Sequence, residues 1–218
     1  SEMCIRDRSI SLYEYLNIMY KGIANKNSTL SLPVPMLNIM NGGCHANNYV
    51  DIQEFMIIPS NKFNFKDGLM KSVEVYIHLK SLLKEKGLSV SVGDEGGFAP
   101  NLKTSEEVLD LIILSIERAG LIYLDDISIA LDCAASELFC EDSYKLTGEN
   151  KKFSSDEMIV YMQSLVDKYE IKSVEDPFDE ADWDAWKTFT KNNNDLQIVG
   201  DDIFVTQEKI LKKGIENK

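Results

Sequence analysis

Three apolar stretches of this sequence each end at a carboxylate residue. The stretches ISIALD, IKSVE and LQIVGD end at Asp132, Glu175 and Asp201. Short runs rich in Ile and Val are typical of buried parallel strands, whose carboxyl ends meet at one edge of a sheet. Carboxylates that converge there repel one another unless a hard divalent cation lies between them, and Mg²⁺ prefers such oxygen ligands. The pattern therefore predicts a Mg²⁺ site; the alternative is that each acid opens a turn or caps the next helix.

Two glycine-rich segments also present ionisable side chains. SVGDEGGFAPN carries Glu95, and glycine allows the backbone to approach a ligand closely. NGGCHANN carries His45 shortly before Glu54, and an imidazole near neutral pH can handle a proton or an anion. We expect both loops to act on a ligand. The structural alternatives are a tight polar turn for the first loop and, for His45 in the second, a histidine that only satisfies structural contacts. The second histidine, His78, falls among apolar residues of a predicted helix and is interpreted as a packing or surface residue.

The hydrophobic pattern predicts the elements that position these residues. A short amphipathic helix covers 12–24, and MLNIM and VDIQEFMII then form an antiparallel pair of strands. Two helices follow, over about 66–86 and from a capping box of Thr104 and Glu107. From there strands and helices alternate, which predicts βαβ units and a parallel sheet, with ELFCEDSYKL as a hairpin-like insert. A second capping box, Ser154 with Glu157, begins the helix after this insert.

The predicted order is thus two strands, two helices and then repeated strand and helix, with five main strands. A closed (β/α)8 barrel needs eight strands and typically about 250 residues. We therefore predict an α/β fold that contains about five of the eight strands of such a barrel.

Composition excludes some classes of partner. The 218 residues contain 23 Lys and Arg against 36 Asp and Glu, a net charge of -13, which disfavours nucleic acids and anionic membranes. The four cysteines form no CxxC pair with zinc spacing, so reduced thiols in the cytoplasm are the simplest interpretation. No apolar run approaches the length of a membrane span.

Five segments, taken together and in order, resemble the enolase family; they are PVPMLNIMNGGCHANNYVDIQEFMIIP, SVGDEGGFAPN, ALDCAASE, SVEDPF and QIVGDDIFVT. The resemblance extends over about residues 12–218 and is closer to bacterial than to animal members. It implies an enolase-type TIM barrel and a phosphopyruvate hydratase, a lyase that reversibly dehydrates 2-phosphoglycerate to phosphoenolpyruvate in glycolysis and gluconeogenesis. It also implies Mg²⁺ as cofactor, a cytoplasmic location and a homo-oligomer of two or more subunits.

The resemblance implies a role for each matching residue. It assigns Mg²⁺ to Asp132, Glu175 and Asp201, proton donation to Glu95, and substrate contacts to His45, Glu54, Glu175 and Asp201. Because Glu95 must be protonated when it donates, we expect its neighbours Asp94 and Glu54 to raise its pKa. The adjacent acids Asp176 and Asp202 are expected to point elsewhere.

The sequence also departs from the family pattern. We expect 1–32 to comprise a leader without resemblance, over about the first ten residues, plus the last helix of an N-terminal domain, and 33–218 to be the first part of the barrel. The family's catalytic lysine and the His-Arg-Ser segment after it have no counterpart in the 218 residues. The chain is thus expected to be truncated at both ends and inactive alone. Two alternatives are a Mg²⁺-binding scaffold protein derived from enolase and a superfamily relative that acts on another carboxylic acid.

Overall fold

The computed structural model describes residues 10–24 and 30–217, and the chain divides into two compact units between Pro33 and Val34. In the first unit the predicted helix is confirmed, and Glu14 accepts hydrogen bonds from the backbone N–H and the hydroxyl of Ser11 at 2.9 and 2.7 Å. The segment 1–9, most of the predicted leader, lies outside the described residues. The predicted domain boundary after residue 32 stays a prediction.

The described helices and strands follow the predicted order. They are α1 (Leu12–Ala24), β1 (Leu37–Asn41), β2 (Glu54–Pro59), α2 (Phe65–Glu85), α3 (Ser105–Arg118), β3 (Ile127–Asp132), β4 (Phe139–Cys140), β5 (Ser143–Leu146), β6 (Lys151–Phe153), α4 (Ser155–Tyr169), β7 (Ser173–Glu175), α5 (Trp183–Asn192), β8 (Gln197–Val199) and α6 (Glu208–Asn217).

The second unit is built on an open five-stranded sheet in the order β1, β2, β3, β7, β8. The first three strands are antiparallel neighbours, and β3, β7 and β8 are parallel neighbours. The five predicted strands are therefore confirmed, and within the described residues the sheet is part of a barrel that is not closed. The predicted hairpin-like insert is a separate three-stranded meander of β4, β5 and β6.

Local capping signals set where the helices begin. The capping box predicted at α4 is complete, because the Ser154 hydroxyl accepts from the Glu157 N–H and the Glu157 carboxylate accepts from the Ser154 N–H. At α3 the box is only half formed. Thr104 accepts from the Glu107 N–H, but the Glu107 carboxylate accepts from the N–H of Lys103, at 2.8 Å.

The two faces of the sheet differ because side chains alternate along each strand. On one face Phe55, Ile57, Ile129, Leu131 and Val174 are fully buried and pack in one apolar cluster with residues of α2, α3, α4 and α5. The alternate positions point to the opposite face, and Glu54, Asp132 and Glu175 are among them. Packing of the helices therefore fixes which side of the sheet presents the carboxylates.

Glu149, in the turn between β5 and β6, ties the meander to two helices. Its carboxylate accepts hydrogen bonds from the Ser105 N–H at 2.9 Å, the Tyr161 hydroxyl at 2.9 Å and the Lys151 ammonium group at 2.6 Å. Burial raises the pKa of Glu149, but the hydrogen bonds from Lys151, Ser105 and Tyr161 outweigh burial and leave it below the ordinary value. The charged form is therefore favoured by folding.

We predict that Glu149→Gln lowers the free energy of unfolding by about 1–3 kcal/mol, because buried donors lose a charged acceptor. The contribution of the Glu149 carboxylate to the stability of the wild-type chain should disappear as the pH falls below about 4.5, since the pKa of Glu149 in the folded chain lies below that ordinary value. Urea unfolding of both chains measures this. Glu141→Gln removes an exposed carboxylate of the same meander and should leave stability unchanged; equal effects of the two substitutions would contradict the assignment.

Candidate active and metal-binding site

One lateral row of the sheet carries the candidate site. Cross-strand pairing sets Asn41 opposite Glu54, Glu54 opposite Asp132, and Asp132 opposite Glu175. Directly opposed residues project from the same face with Cβ atoms about 5 Å apart. One amide and three carboxyl groups therefore lie side by side at the edge of the sheet. Asp132 and Glu175 end neighbouring parallel strands, as their sequence pattern predicts.

The third predicted metal ligand, Asp201, is placed differently. Strand β8 ends at Val199, and Asp201 lies two residues later in an exposed turn. This turn is held by Asp176, whose buried carboxylate accepts from the N–H groups of Asp201 at 3.2 Å and Asp202 at 2.9 Å. The strand is shorter than predicted because these N–H groups bond to a side chain and not to a neighbouring strand.

The Asp176 carboxylate bonds to the backbone of the turn that carries Asp201, and the expectation that Asp202 points away from the site stays a prediction. Asp176 orients the turn that carries Asp201. The negative charge of Asp202 contributes to the raised pKa values of both Asp132 and Glu175. Each of these two acids directly follows a predicted ligand in the sequence. The local sequence carries no signal for the hydrogen bonds of Asp176 or for the effect of Asp202 on the pKa values.

His45 and Glu95 lie beside the row and form a tight group with Glu54. His45 Nδ1 lies 3.7 Å from Glu54 Oε1 and 3.8 Å from Glu95 Oε2. Within the described residues this is the one trio of His, Cys, Asp or Glu whose ligand atoms all lie within 4.8 Å of one another. The structure therefore brings these three predicted site residues together, whereas Asp132, Glu175 and Asp201 do not form so compact a set.

Glycines allow the loop with Glu95 to lie directly on β1. A Cβ atom at Gly97 would be 2.6 Å from Asn41 Oδ1, and one at Gly93 would be 2.5 Å from the carbonyl oxygen of His45. The Asn41 N–H donates to the Phe98 carbonyl at 2.9 Å, which fixes the far side of the loop to the strand. Side chains at either glycine would push Glu95 away from Glu54.

The loop that carries His45 is longer than predicted. Strand β2 begins at Glu54 and not at Val50, because the N–H groups of Gly42 and Gly43 bond to the carbonyl oxygens of Gln53 and Val50 at 2.9 and 2.7 Å. The loop folds back on itself through these bonds. They leave Glu54 as the first paired residue of β2, opposite Asp132.

The carboxyl groups of the row all have pKa values raised above their ordinary values. Burial, followed by the negative charges of Asp132, Asp176, Asp201 and Asp202, raises the pKa of Glu175 to about 7. Burial also raises the pKa of Asp132, against hydrogen bonds from the Ala134 N–H and the Gln53 amide that lower it. Burial first, and then Asp202 and Asp132, raise the pKa of Asp176 to about 6.

The proton between Glu54 and Glu95 resides mainly on Glu54, so the expectation of a raised pKa for Glu95 is wrong. Burial raises the pKa of Glu54 to about 8, helped by its hydrogen bond to Glu95 and by the charges of Asp132, Glu95 and Glu175. The same hydrogen bond lowers the pKa of Glu95, which is 47% exposed against 12% for Glu54. The more deeply buried carboxyl group keeps the proton because its charged form loses more hydration.

The donor chemistry of the row fits a hard divalent cation. Among the described residues, His45 is the only basic side chain within 4 Å of a carboxylate oxygen of Glu54, Glu95, Asp132 or Glu175, and it lies beside Glu54 and Glu95. Oxygen donors that lack a cation partner are the ligands that Mg²⁺ prefers. The residues present therefore suit Mg²⁺, as predicted from their types.

Two contacts of the site escaped prediction from the sequence. The Gln53 amide donates to Asp132 Oδ2 at 3.3 Å, and the Asn38 amide donates to Glu95 Oε2 at 3.3 Å. A polar Gln inside the apolar run VDIQEFMII is a signal that could have indicated the first contact. Nothing in the local pattern around Asn38 distinguishes it from an ordinary strand residue.

Comparison with known proteins gives a consistent result. Residues 29–218 match the family described as Enolase, C-terminal TIM barrel domain. Enolases of Legionella pneumophila strains Paris, Corby and Philadelphia 1 are each 48% identical to this chain over 213 residues, 97% of the chain and 50% of the relative. The chain thus spans about half the length of the curated relatives it matches.

The described helices contain none with the length and apolar character needed to cross a membrane. The open sheet, with an antiparallel first pair followed by parallel strands, accords with part of the matched barrel domain. From the family match and the identity to bacterial enolases, we conclude that this chain belongs to the enolase family.

Proposed function

We propose that this chain provides the metal-binding and acid side of an enolase active site, for the reversible dehydration of 2-phosphoglycerate to phosphoenolpyruvate. The observation that carries the proposal is the row of Glu54, Asp132 and Glu175 with the His45–Glu95 group beside it. The reaction is part of glycolysis, and we therefore assign it to the cytoplasm and, as in the family, to a homo-oligomer.

The Glu54–Glu95 pair supplies the proton for the leaving hydroxyl group. Loss of hydroxide from C3 becomes feasible when a proton is delivered as the carbon–oxygen bond breaks, so that water departs. The pair keeps one proton near neutral pH because the pKa of Glu54 is raised to about 8. Exposed Glu95 faces the substrate side, and Glu54 replenishes it through their hydrogen bond. We therefore assign proton donation to Glu95 with Glu54 as its reservoir.

His45 stands where it can hold the substrate beside this pair. Its ring is 25% exposed and its buried Nδ1 atom has no hydrogen-bond partner among the described residues. An imidazole in this setting can contact a phosphate or the departing hydroxyl group. We keep His45 as a substrate-binding residue.

We assign Mg²⁺ to Asp132, Glu175 and Asp201, of which Glu175 and Asp201 also contact substrate. When bound, Mg²⁺ supplies positive charge that stabilises the extra negative charge on the substrate carboxylate after a proton leaves its α-carbon. Asp176 orients Asp201, and Gln53 orients Asp132, through the hydrogen bonds described above. Contacts that orient metal ligands in this way contribute to metal affinity, and their loss typically weakens it about 10- to 100-fold.

A Mg²⁺-binding protein without turnover is the second candidate. The observation that favours it is that, among the described residues, no lysine forms a salt bridge with Glu54, Glu95, Asp132 or Glu175. Abstraction of the α-proton needs a base, which in the family is a lysine. A relative that acts on another carboxylic acid would use a different base at the same edge.

We predict that the 218-residue chain binds Mg²⁺ and that Asp132→Asn weakens binding at least about tenfold, because a ligand charge is lost. Isothermal titration with MgCl₂ measures the affinity. Asp195→Asn is the matched control: it makes the same change two residues before β8, at the opposite edge of the sheet. Equal affinities of the two variants would contradict the metal site.

The metal-free chain should lose stability as the pH rises from about 4.5 to about 8. In the folded chain the pKa values of Glu175 and Glu54 are raised from 4.5 to about 7 and about 8. Their protonated forms therefore contribute fully to stability below pH 4.5, and this contribution is lost as the pH rises through the folded pKa values. Urea midpoints across this range measure the effect, and Mg²⁺ at pH 8 should offset the loss. Glu54→Gln should flatten the profile while exposed Glu85→Gln leaves it unchanged; a flat wild-type profile would contradict the raised pKa values.

We expect no phosphoenolpyruvate formation by the 218-residue chain, because its described site lacks a lysine base. The ultraviolet absorbance of phosphoenolpyruvate follows the reaction in the presence of 2-phosphoglycerate and Mg²⁺. A Mg²⁺-dependent rate typical of an enolase, lost in Glu95→Gln and kept in Asp195→Asn, would show that this expectation is wrong.

A further inference from the structure

Asn48 connects the two loops that carry His45 and Glu95. Its side-chain amide group donates to the carbonyl oxygen of Asn41 at 3.0 Å and to that of Pro100 at 3.2 Å. Its side-chain oxygen accepts from the N–H of Val50 at 3.1 Å. One planar group thus joins the end of β1, the His45 loop and the last part of the Glu95 loop.

Only an amide side chain can make this set of contacts from one position. The NH₂ group provides two donors for two carbonyl oxygens, and the carbonyl oxygen accepts from a third point. A carboxylate of the same size keeps the acceptor but offers no donor, and it would face two carbonyl oxygens. A hydroxyl group has one donor. The chemistry of Asn48 is therefore matched to three backbone partners.

The two loops also meet directly at the site. The Asp94 N–H donates to the carbonyl oxygen of His45 at 3.1 Å, next to Glu95. The 3.7 Å and 3.8 Å separations of His45 from Glu54 and Glu95 depend on this relative placement. A displacement of about 1 Å can cost a catalytic site about a hundredfold in rate.

We propose that Asn48 is a positioning residue that holds the His45 and Glu95 loops in one arrangement at the site. This role rests on the proposed function, in which His45 holds the substrate and Glu95 donates the proton. Asn48 itself touches backbone groups and no site carboxylate. It acts by fixing where the loops lie, and it takes no part in proton transfer.

The chain offers a matched control for this inference. Asn47 is the preceding residue of the same loop, and its side chain is exposed. Asn48→Asp and Asn47→Asp add the same charge at neighbouring positions, and Asn48→Ala and Asn47→Ala add none. A comparison within each pair therefore separates loss of the two donors from a general effect of charge or truncation in the loop.

Amide hydrogen exchange by NMR tests the connection in the 218-residue chain. Both Asn48 variants should speed exchange of the Asp94 N–H about tenfold or more relative to their Asn47 controls, as expected when a connecting hydrogen-bond set is lost. Exchange in β3 should be unchanged. Because the chain contains two histidines, the ring signals of His45 should shift while those of His78 serve as an internal reference.

Equal exchange at Asp94 in the Asn48→Ala and Asn47→Ala chains would overturn the proposal. Loss of protection in β3 in both Asn48 variants would also overturn it, because Asn48 would then support the whole fold and not the loops. Neither readout needs turnover or Mg²⁺. Failure of the unsubstituted chain to bind Mg²⁺ would count against the proposed function, whereas the exchange comparison alone decides the role of Asn48.

Discussion

Pairing of β2, β3 and β7 sets Glu54, Asp132 and Glu175 opposite one another, and most features of the site follow from this alignment. Carboxyl groups in one row cannot all be ionised without a large electrostatic cost unless protons or cations compensate them. A shift of one residue in any of these strands would turn its acid toward the apolar cluster. The packing of Phe55, Ile57 and Leu131 against the helices opposes such a shift.

The same constraint gives neighbouring acids different roles. Glu54 is the more buried member of its pair and holds the proton, while the more exposed Glu95 has a lowered pKa. Two like groups whose environments push their pKa values apart form an acid pair, a recurring arrangement in enzymes. Asp176 illustrates a third role, since its buried carboxylate is used to hold the turn of Asp201 and Asp202.

The strand ends at Asp132 and Glu175 and the capping box at Ser154 could be predicted because each depends on a few consecutive residues. The end of β8, the start of β2 and the direction of the Glu95 pKa could not. These depend on contacts between distant segments. Examples are the hydrogen bond from the Asp201 N–H to the Asp176 carboxylate and the burial of Glu54. Family resemblance supplied the identities of site residues, but the raised pKa that it led us to expect for Glu95 is found at the more buried Glu54.

We expect the row to hold protons in the absence of a cation and to release them when Mg²⁺ binds. Titration of the chain with MgCl₂ near pH 7, in two buffers of different ionisation enthalpy, measures the protons released on binding. Because the pKa values of Glu175 and Glu54 are about 7 and about 8, we expect a measurable release of protons that diminishes well above pH 8. Binding of Mg²⁺ without proton release at pH 7 would contradict it.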